Sequence, residues 1–317
     1  MPGGDISEAL AVALGEVPDL PFLPELPARG PGADLIGRTA ALLVDMPVQA
    51  TPRGWRLAPR PGRDLRRAID LMSADLDELE GAASSYRGPF KIQVCGPWTL
   101  AASLELTRSV EPALADPGAV ADLTASLAEG VAAHAAEVRR RLSGVTLLIQ
   151  VDEPSLPAVL AGSVPTASGL RRLPGVDGQV AADGLGEVIA APQGPTVVHC
   201  CARDVPFDCI TRSGATAVAF DLGQQLGRDG EDAMGEAVES GLGVFAGTAD
   251  PDDRSTAAAV IDLWRRIGLP DKQLSELVVV TPSCGLAGES PAGARAALAR
   301  CRRAARLIPE LIEEGLR

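Results

Sequence analysis

The chain has 317 residues, of which 46% are hydrophobic, enough for one large domain or two smaller ones. Its formal net charge of −13 repels phosphate backbones, so we do not expect nucleic acid as a partner. There is no uninterrupted apolar run of about 18 residues and no basic, apolar leader, so we expect neither a membrane span nor a signal peptide. Six cysteines over this length do not resemble a disulfide framework. A cytoplasmic chain with metal-binding or inert thiols is expected.

The amino-terminal part combines helices with a proline-rich extended segment. A helix is predicted at Ser7–Leu14, with Asp5 or Ser7 as the N-cap. The prolines of residues 20–27 permit only brief strand pairing, at Phe22–Leu23, and Glu25 follows at the exit of that segment. Two further helices are predicted, at Gly37–Val44 and Asp64–Gly81.

Strands and helices then alternate to the end of the chain. Most of the strands are near-continuous apolar runs, which indicates burial on both faces in a parallel sheet. The Gly-rich residues 163–186 are expected to be a surface excursion within a single domain spanning residues 1–317. The predicted strands are Lys91–Cys95, Val145–Val151, Thr196–Cys201, Ala217–Phe220, Gly243–Ala246 and Leu277–Thr281. The predicted helices are Leu100–Leu106, Gly118–Leu142, Cys209–Ser213, Ala233–Ser240, Thr256–Ile267 and Pro291–Leu316.

The most informative stretch is His199-Cys200-Cys201, at the end of an apolar, β-branched run. Side chains two apart on an extended segment point the same way, so His199 and Cys201 can converge on one point while Cys200 faces away. Imidazole and thiolate are ligands that suit zinc. The alternative is a buried strand that carries small apolar thiols, since free cysteine is often a buried hydrophobe.

Several chemically distinctive residues fall at or just beyond the carboxyl ends of separate predicted strands. The carboxyl ends of barrel strands form one rim, where barrel active sites lie. An open doubly wound sheet would also gather strand ends, but the Gly-rich phosphate loop typical of that fold is not present. A (β/α)₈ TIM barrel is therefore favoured. The residues in question are Glu25, Asp152, His199, Cys201, Asp221 and Cys284.

Four of these side chains match a tetrahedral zinc site. His199, Cys201 and Cys284 supply one nitrogen and two sulfurs, and Asp221, on the next predicted strand, could supply a carboxylate. These ligands are spread over more than 80 residues, so they need a folded scaffold. That spread suggests a catalytic ion rather than a zinc finger.

The metal-ligand pattern resembles that of the cobalamin-independent methionine synthase family. His199-x-Cys201, Asp221 and Cys284 within Ser-Cys-Gly-Leu look like that family's zinc ligands. The resemblance covers nearly the whole chain, but it corresponds only to the family's carboxyl-terminal catalytic barrel. It implies a methionine synthase or uroporphyrinogen decarboxylase-like barrel in which zinc converts a homocysteine thiol to a thiolate that attacks a methyl group.

Three further segments carry the same resemblance. Residues 149–156 (IQVDEPSL) are similar to the strand that holds the homocysteine amino group, which implies this role for Asp152. Residues 24–30 (PELPARG) resemble the segment that provides a second substrate acid, here Glu25. Gly96-Pro97-Trp98-Thr99-Leu100 resembles the family's Gly-Pro-x-Thr turn. A helix N-cap or turn is the alternative role for Asp152, and a solvent-facing acid is the alternative for Glu25.

The chain also departs from the family pattern. The family's fourth ligand is usually Glu, whereas Asp221 is one methylene shorter, so zinc could instead bind water. The histidine that protonates the folate leaving group is replaced by Gly247-Thr248-Ala249-Asp250, where Asp250 is the only candidate acid. The Ser-containing turn of relatives would fall before Met1, so the first barrel strand is expected to be partly missing.

Three functions remain open from the sequence. The first is a zinc-dependent thiol methyltransferase that uses methylfolate or a methylcorrinoid protein as donor. The second is a uroporphyrinogen decarboxylase-like enzyme, which needs no metal. The third is a non-catalytic barrel that keeps zinc and binds a thiol without methylating it.

Overall fold

The computed structural model describes residues 1–224 and 226–315. In this part of the chain no helix is both long and apolar enough to cross a membrane. The strands are β1 (Val48–Thr51), β2 (Gly54–Leu57), β3 (Gly88–Cys95), β4 (Leu104–Glu105), β5 (Val145–Asp152), β6 (Thr196–His199), β7 (Ala217–Asp221), β8 (Gly243–Thr248) and β9 (Val278–Pro282). The helices are α1 (Ile6–Glu16), α2 (Leu35–Ala40), α3 (Arg63–Ala83), α4 (Pro97–Ser103), α5 (Pro117–Arg141), α6 (Leu156–Leu160), α7 (Gly178–Ala190), α8 (Phe207–Arg212), α9 (Gly227–Glu239), α10 (Asp253–Arg266), α11 (Leu274–Leu277) and α12 (Pro291–Glu313).

The central sheet confirms the predicted α/β barrel architecture. Its strands run parallel in the order β3-β5-β6-β7-β8-β9. Within the described residues, these are six strands rather than the eight of a complete (β/α)₈ barrel. Phe22 extends the sheet by a single parallel bridge to Lys91 on β3. This agrees with the brief strand pairing that the sequence predicts at Phe22–Leu23. Pro21 and Pro24 flank this pair, and proline cannot donate a ladder hydrogen bond, so the pairing stops.

Alternation along the strands separates two apolar layers. Outward residues such as Ile149, Val198 and Val218 join the main core, which also contains buried side chains of the surrounding helices. The inward residues form a separate buried cluster of Val197, Ala217, Ala219 and Phe245, with Leu20, Leu148 and Val279 against it. Asp152, His199 and Asp221 end β5, β6 and β7 with the same inward parity. The barrel interior is thus apolar beneath the rim, along the strands, and polar at the rim formed by their carboxyl ends.

A second, three-stranded sheet was not predicted from the sequence. β1 and β2 form an antiparallel hairpin, and β4 pairs in parallel with β2. The sequence predicts Leu104–Glu105 to be helical, and this is wrong, because α4 ends at Ser103. Glu105 is buried, and its carboxylate receives two hydrogen bonds from Arg56 of β2, a long-range ion pair that local helical spacing cannot reveal.

The predicted excursion over residues 163–186 is irregular only in its first part. Asp177 caps α7 by accepting hydrogen bonds from the amides of Gln179 and Val180, so residues 178–186 are helical. Glycines in this helix serve close packing instead of flexibility. A Cβ on Gly184 would lie 2.9 Å from the Trp98 ring.

The outer helices largely follow the predicted order. Asp5 is the N-cap of α1, and this helix packs against both α3 and α12, linking the first and last long helices of the ring. The sequence predicts that the final helix reaches Leu316, which lies outside the described residues; α12 ends at Glu313.

Candidate metal and substrate site

Three of the predicted metal ligands converge at the carboxyl rim. One ligand atom each from His199, Cys201 and Cys284 lies within 4.8 Å of the other two. His199 ends β6, whereas Cys284 follows β9, three strands away. In a flat sheet that separation would be about 14 Å, so the convergence requires the sheet to curl. We call these three residues the thiol cluster.

The dimensions and chemistry of the thiol cluster fit a zinc ion. Tetrahedral zinc with sulfur and nitrogen ligands places those atoms about 3.5–3.8 Å apart, which is within the observed limit. A hydrogen bond from the Cys201 thiol is the main cause that lowers the pKa of Cys284, to about 6. The same bond raises the pKa of Cys201, because the remaining proton is shared between the two sulfurs. This shared hydrogen bond favours the thiolate form of Cys284 over that of Cys201.

Asp152 orients the imidazole of the thiol cluster. Asp152 Oδ1 lies 2.7 Å from His199 Nδ1 and also accepts a 2.7 Å hydrogen bond from Gln150 Nε2. Burial lowers the pKa of His199, but the hydrogen bond and the charge of Asp152 together raise it above its usual value. Since Nδ1 faces Asp152, Nε2 is the nitrogen left for a metal, the arrangement found behind many histidine ligands.

Cys200 faces away from the thiol cluster, as the alternation along the strand predicts. It is fully buried in the main core, and burial raises its pKa to about 12. The strand ends at His199 instead of Cys201, but the amide of Cys200 still donates to the carbonyl of Ala219 on β7. This bond continues the backbone ladder and fixes the direction in which Cys201 leaves it.

Glu25 lies beside the same interior, not on an open surface. Its side chain is 21% exposed, and Oε1 lies 3.8 Å from Arg38 Nε. Burial raises the pKa of Glu25, the charge of Arg38 lowers it and the charge of Asp152 raises it. The two acids that the sequence predicts to bind substrate therefore interact electrostatically.

A family profile described as "Cobalamin-independent synthase, Catalytic domain" matches residues 112–307, more than half of the chain. The chain belongs to the cobalamin-independent synthase family. Membership implies methyl transfer to homocysteine in methionine synthesis, and the family is in general zinc-dependent. The matched segment contains Asp152 and the whole thiol cluster, whereas Glu25 precedes it. A search of the curated proteins finds no match to the chain.

The other two predicted site residues of this synthase-family chain lie on the rim outside the thiol cluster. Asp221 ends β7 with inward parity, but its Oδ1 accepts a 2.9 Å hydrogen bond from the Gly223 amide. Its carboxylate does not belong to the thiol cluster. Asp250 lies two residues beyond β8 and is half-buried. It is also outside the thiol cluster.

Glu153 is the important residue that the sequence reasoning missed. It is fully buried, and its carboxylate accepts hydrogen bonds from the amides of Trp98 and Thr99 at 2.8 Å and from the Thr99 hydroxyl at 2.6 Å. It caps α4, whose own N-cap, Gly96, has no side chain to do so. A glycine before Pro at the start of a helix was the available signal, because the exposed amides of the first turn need an acceptor.

Proposed function

We propose that this protein is a zinc-dependent methyltransferase that moves a methyl group to the thiol of homocysteine, or of a related thiol, to form methionine or the corresponding thioether. The observation that carries the proposal is the convergence of His199, Cys201 and Cys284 at the rim of a synthase-family barrel. Thiol ligands function in their reduced form, so we place the protein in the cytoplasm.

The three residues of the thiol cluster would hold the ion, through Nε2 of His199 and the two sulfurs. Asp221 is the fourth ligand proposed from the sequence, at the end of the neighbouring strand β7. Bound zinc supplies one piece of chemistry, lowering the pKa of a coordinated substrate thiol so that it is a thiolate at neutral pH.

The two acids would orient the substrate. Asp152 uses Oδ1 for His199 and Gln150, and the hydrogen bonds among the described residues leave Oδ2 for the substrate ammonium. Glu25 offers a second carboxylate, and ionised carboxylates form strong charge-assisted hydrogen bonds with an ammonium group. Together with a thiol held at the cluster, these contacts would fix the sulfur towards the methyl donor.

The methyl donor would be methylfolate or a methylcorrinoid protein. The substrate sulfur forms a bond to the methyl carbon, and the bond between that carbon and the donor breaks with its electron pair remaining on the donor. A folate donor also requires a proton on its leaving nitrogen. We assign this proton to Asp250, as the acid that follows β8.

The decisive experiment combines zinc quantification with a methylation assay. We expect about one zinc ion per chain in the wild type, and loss of both zinc and homocysteine methylation in Cys284→Ala. Cys301→Ala, which removes a buried thiol of α12 outside the cluster, is the matched control and should keep both. Methyltetrahydrofolate and methylcobalamin should be tested as donors in parallel.

The outcomes separate the alternative functions. Zinc and homocysteine binding without methylation from either donor would contradict the enzyme and select a non-catalytic zinc- and thiol-binding barrel. A wild-type protein that binds no zinc would contradict both. Family membership favours the synthase reaction over a uroporphyrinogen decarboxylase-like activity, which a metal-free protein would favour instead.

A further inference from the structure

A buried ion network joins three elements next to Glu25. Asp75 of α3 is fully buried, and its two carboxylate oxygens accept hydrogen bonds of 2.7 Å from the two terminal nitrogens of Arg29. Its Oδ2 also accepts a 2.6 Å hydrogen bond from Arg38 Nη1 of α2. Arg29 follows Glu25 by four residues, so this network holds both the segment that carries Glu25 and the guanidinium that faces it.

Arg38 and Glu25 face each other without a hydrogen bond. Arg38 Nε and Glu25 Oε1 lie 3.8 Å apart, and both atoms are buried without a hydrogen-bond partner among the described residues. At this distance a donor and an acceptor do not form a hydrogen bond, but the two charges still attract. Glu25 Oε1 therefore has a fixed cation beside it, and the exposed 21% of the side chain is the part that a ligand can reach.

Arg38 cannot reach a ligand itself, because its side chain is only 3% exposed. Its influence on a bound molecule must therefore pass through Glu25, the more accessible partner. We propose that Arg38, held in place by Asp75, is a positioning residue that favours the ionised form of Glu25 and orients it to accept the ammonium of an amino-acid thiol. The identity of that ligand rests on the proposed function, whereas the action of Arg38 on Glu25 does not.

The surroundings of Glu25 show why such a cation is needed. Burial raises the pKa of this carboxyl, and the charge of Arg38 is the largest influence that opposes the rise. A neutral carboxyl would lose its charge-assisted hydrogen bond to an ammonium group. The other polar and charged groups that act on it are Asp152 of β5, Gln93 and Lys91 of β3, and the amino group of Met1.

The first test compares two thiols by calorimetric binding to the zinc-loaded protein, which needs no turnover. Homocysteine has the amino group, and 4-sulfanylbutanoate lacks it. Arg38→Gln should weaken homocysteine binding about ten- to hundredfold, the range for a lost charge-assisted hydrogen bond, and should change 4-sulfanylbutanoate binding less than threefold. Arg303→Gln, which removes a surface ion pair with Asp253, is the control and should change neither.

The conservative variant and a double-mutant cycle exclude a merely structural role. Arg38→Lys keeps the charge and should retain most of the preference for homocysteine. In a Glu25→Gln background, Arg38→Gln should cause no further loss. Equal weakening of both thiols by Arg38→Gln, or no weakening of either, would overturn the inference.

The second test does not depend on the substrate. Carbon-13 NMR titration of the Glu25 carboxyl in the full chain should give a higher pKa in Arg38→Gln than in the wild type, and a pKa close to the wild-type value in Arg38→Lys. An unchanged pKa in Arg38→Gln would overturn the inference. If the pKa moves as expected but the wild type binds neither thiol, the proposed function fails and the Arg38–Glu25 interaction stands.

Discussion

Two regions of the same rim differ in how their polar groups are satisfied. At the junction of β3 and β5, the carboxylate of Glu153 is fully buried, and amides and a hydroxyl of the α4 turn donate to it. At the thiol cluster, between β6 and β9, the side chains are half-buried or exposed and converge on one point. Asp152 and Glu153 are consecutive, yet one faces the site and the other stabilises the fold. The conspicuous acid-acid-proline motif therefore serves two separate purposes.

The largest effect is expected from closing the space that Glu153 occupies. A Cβ on Gly96 would lie 2.3 Å from Glu153 Oε1, so Gly96→Ala must displace the carboxylate from the amides of α4. We expect a loss of roughly 2–4 kcal/mol in the free energy of unfolding, measured by denaturant titration. Gly81→Ala, in open space on α3, is the control and should be neutral or slightly stabilising. Equal stability of the two variants would show that the Glu153 turn is loosely packed.

The Glu153 turn should also make stability depend on pH. Burial raises the pKa of Glu153 to about 7, from an ordinary value of 4.5. Between these values the folded chain holds a proton on Glu153 that the unfolded chain has released, so the contribution of this group to stability falls as pH rises from about 4.5 to about 7 and is constant outside that window. The contribution is up to about 3 kcal/mol. The difference in unfolding free energy between the wild type and Glu153→Gln should follow this curve, and a difference that does not vary with pH would contradict it.

The comparison between the neighbouring acids can be tested through zinc affinity. Asp152→Asn weakens the support of His199 and should lower zinc affinity about 10–100-fold, measured by competition with a chromophoric chelator. Glu153→Gln should leave zinc affinity within about twofold of the wild type while it lowers stability. Similar zinc affinities in the two variants would remove the functional division between these residues.

The smallest effect is expected at the remaining proposed ligand. Asp221 makes a local hydrogen bond to Gly223 and lies outside the thiol cluster. We expect Asp221→Asn to keep the zinc stoichiometry and to lower affinity less than about tenfold, or less than about 1.4 kcal/mol. A loss of zinc as complete as that in Cys284→Ala would instead establish Asp221 as an indispensable ligand.

Local pattern predicted most of the regular structure. The amphipathic spacing of α3 and the apolar runs of β5 and β7 predict these elements to within a few residues. Their hydrophobic periodicity depends only on neighbouring residues in the sequence. The short β1–β2 hairpin was missed although its pairing is local, and β4 was missed because it pairs with β2, which lies far earlier in the chain. The glycines of α7 were misleading, because they are required by close contacts with other elements.

The sequence by itself predicted the parallel α/β barrel class and four candidate ligands at one rim, because strand ends in such a fold share one rim and soft ligands are rare in this chain. The structure brings three of these candidates together. Only the tertiary structure decided which acid does what. Asp152 supports His199, Glu153 caps a helix across the rim, and Glu25 faces a buried guanidinium. Each of these roles depends on a partner from another element of the fold, and the distance and burial of that partner follow from how the sheet curls and the helices pack.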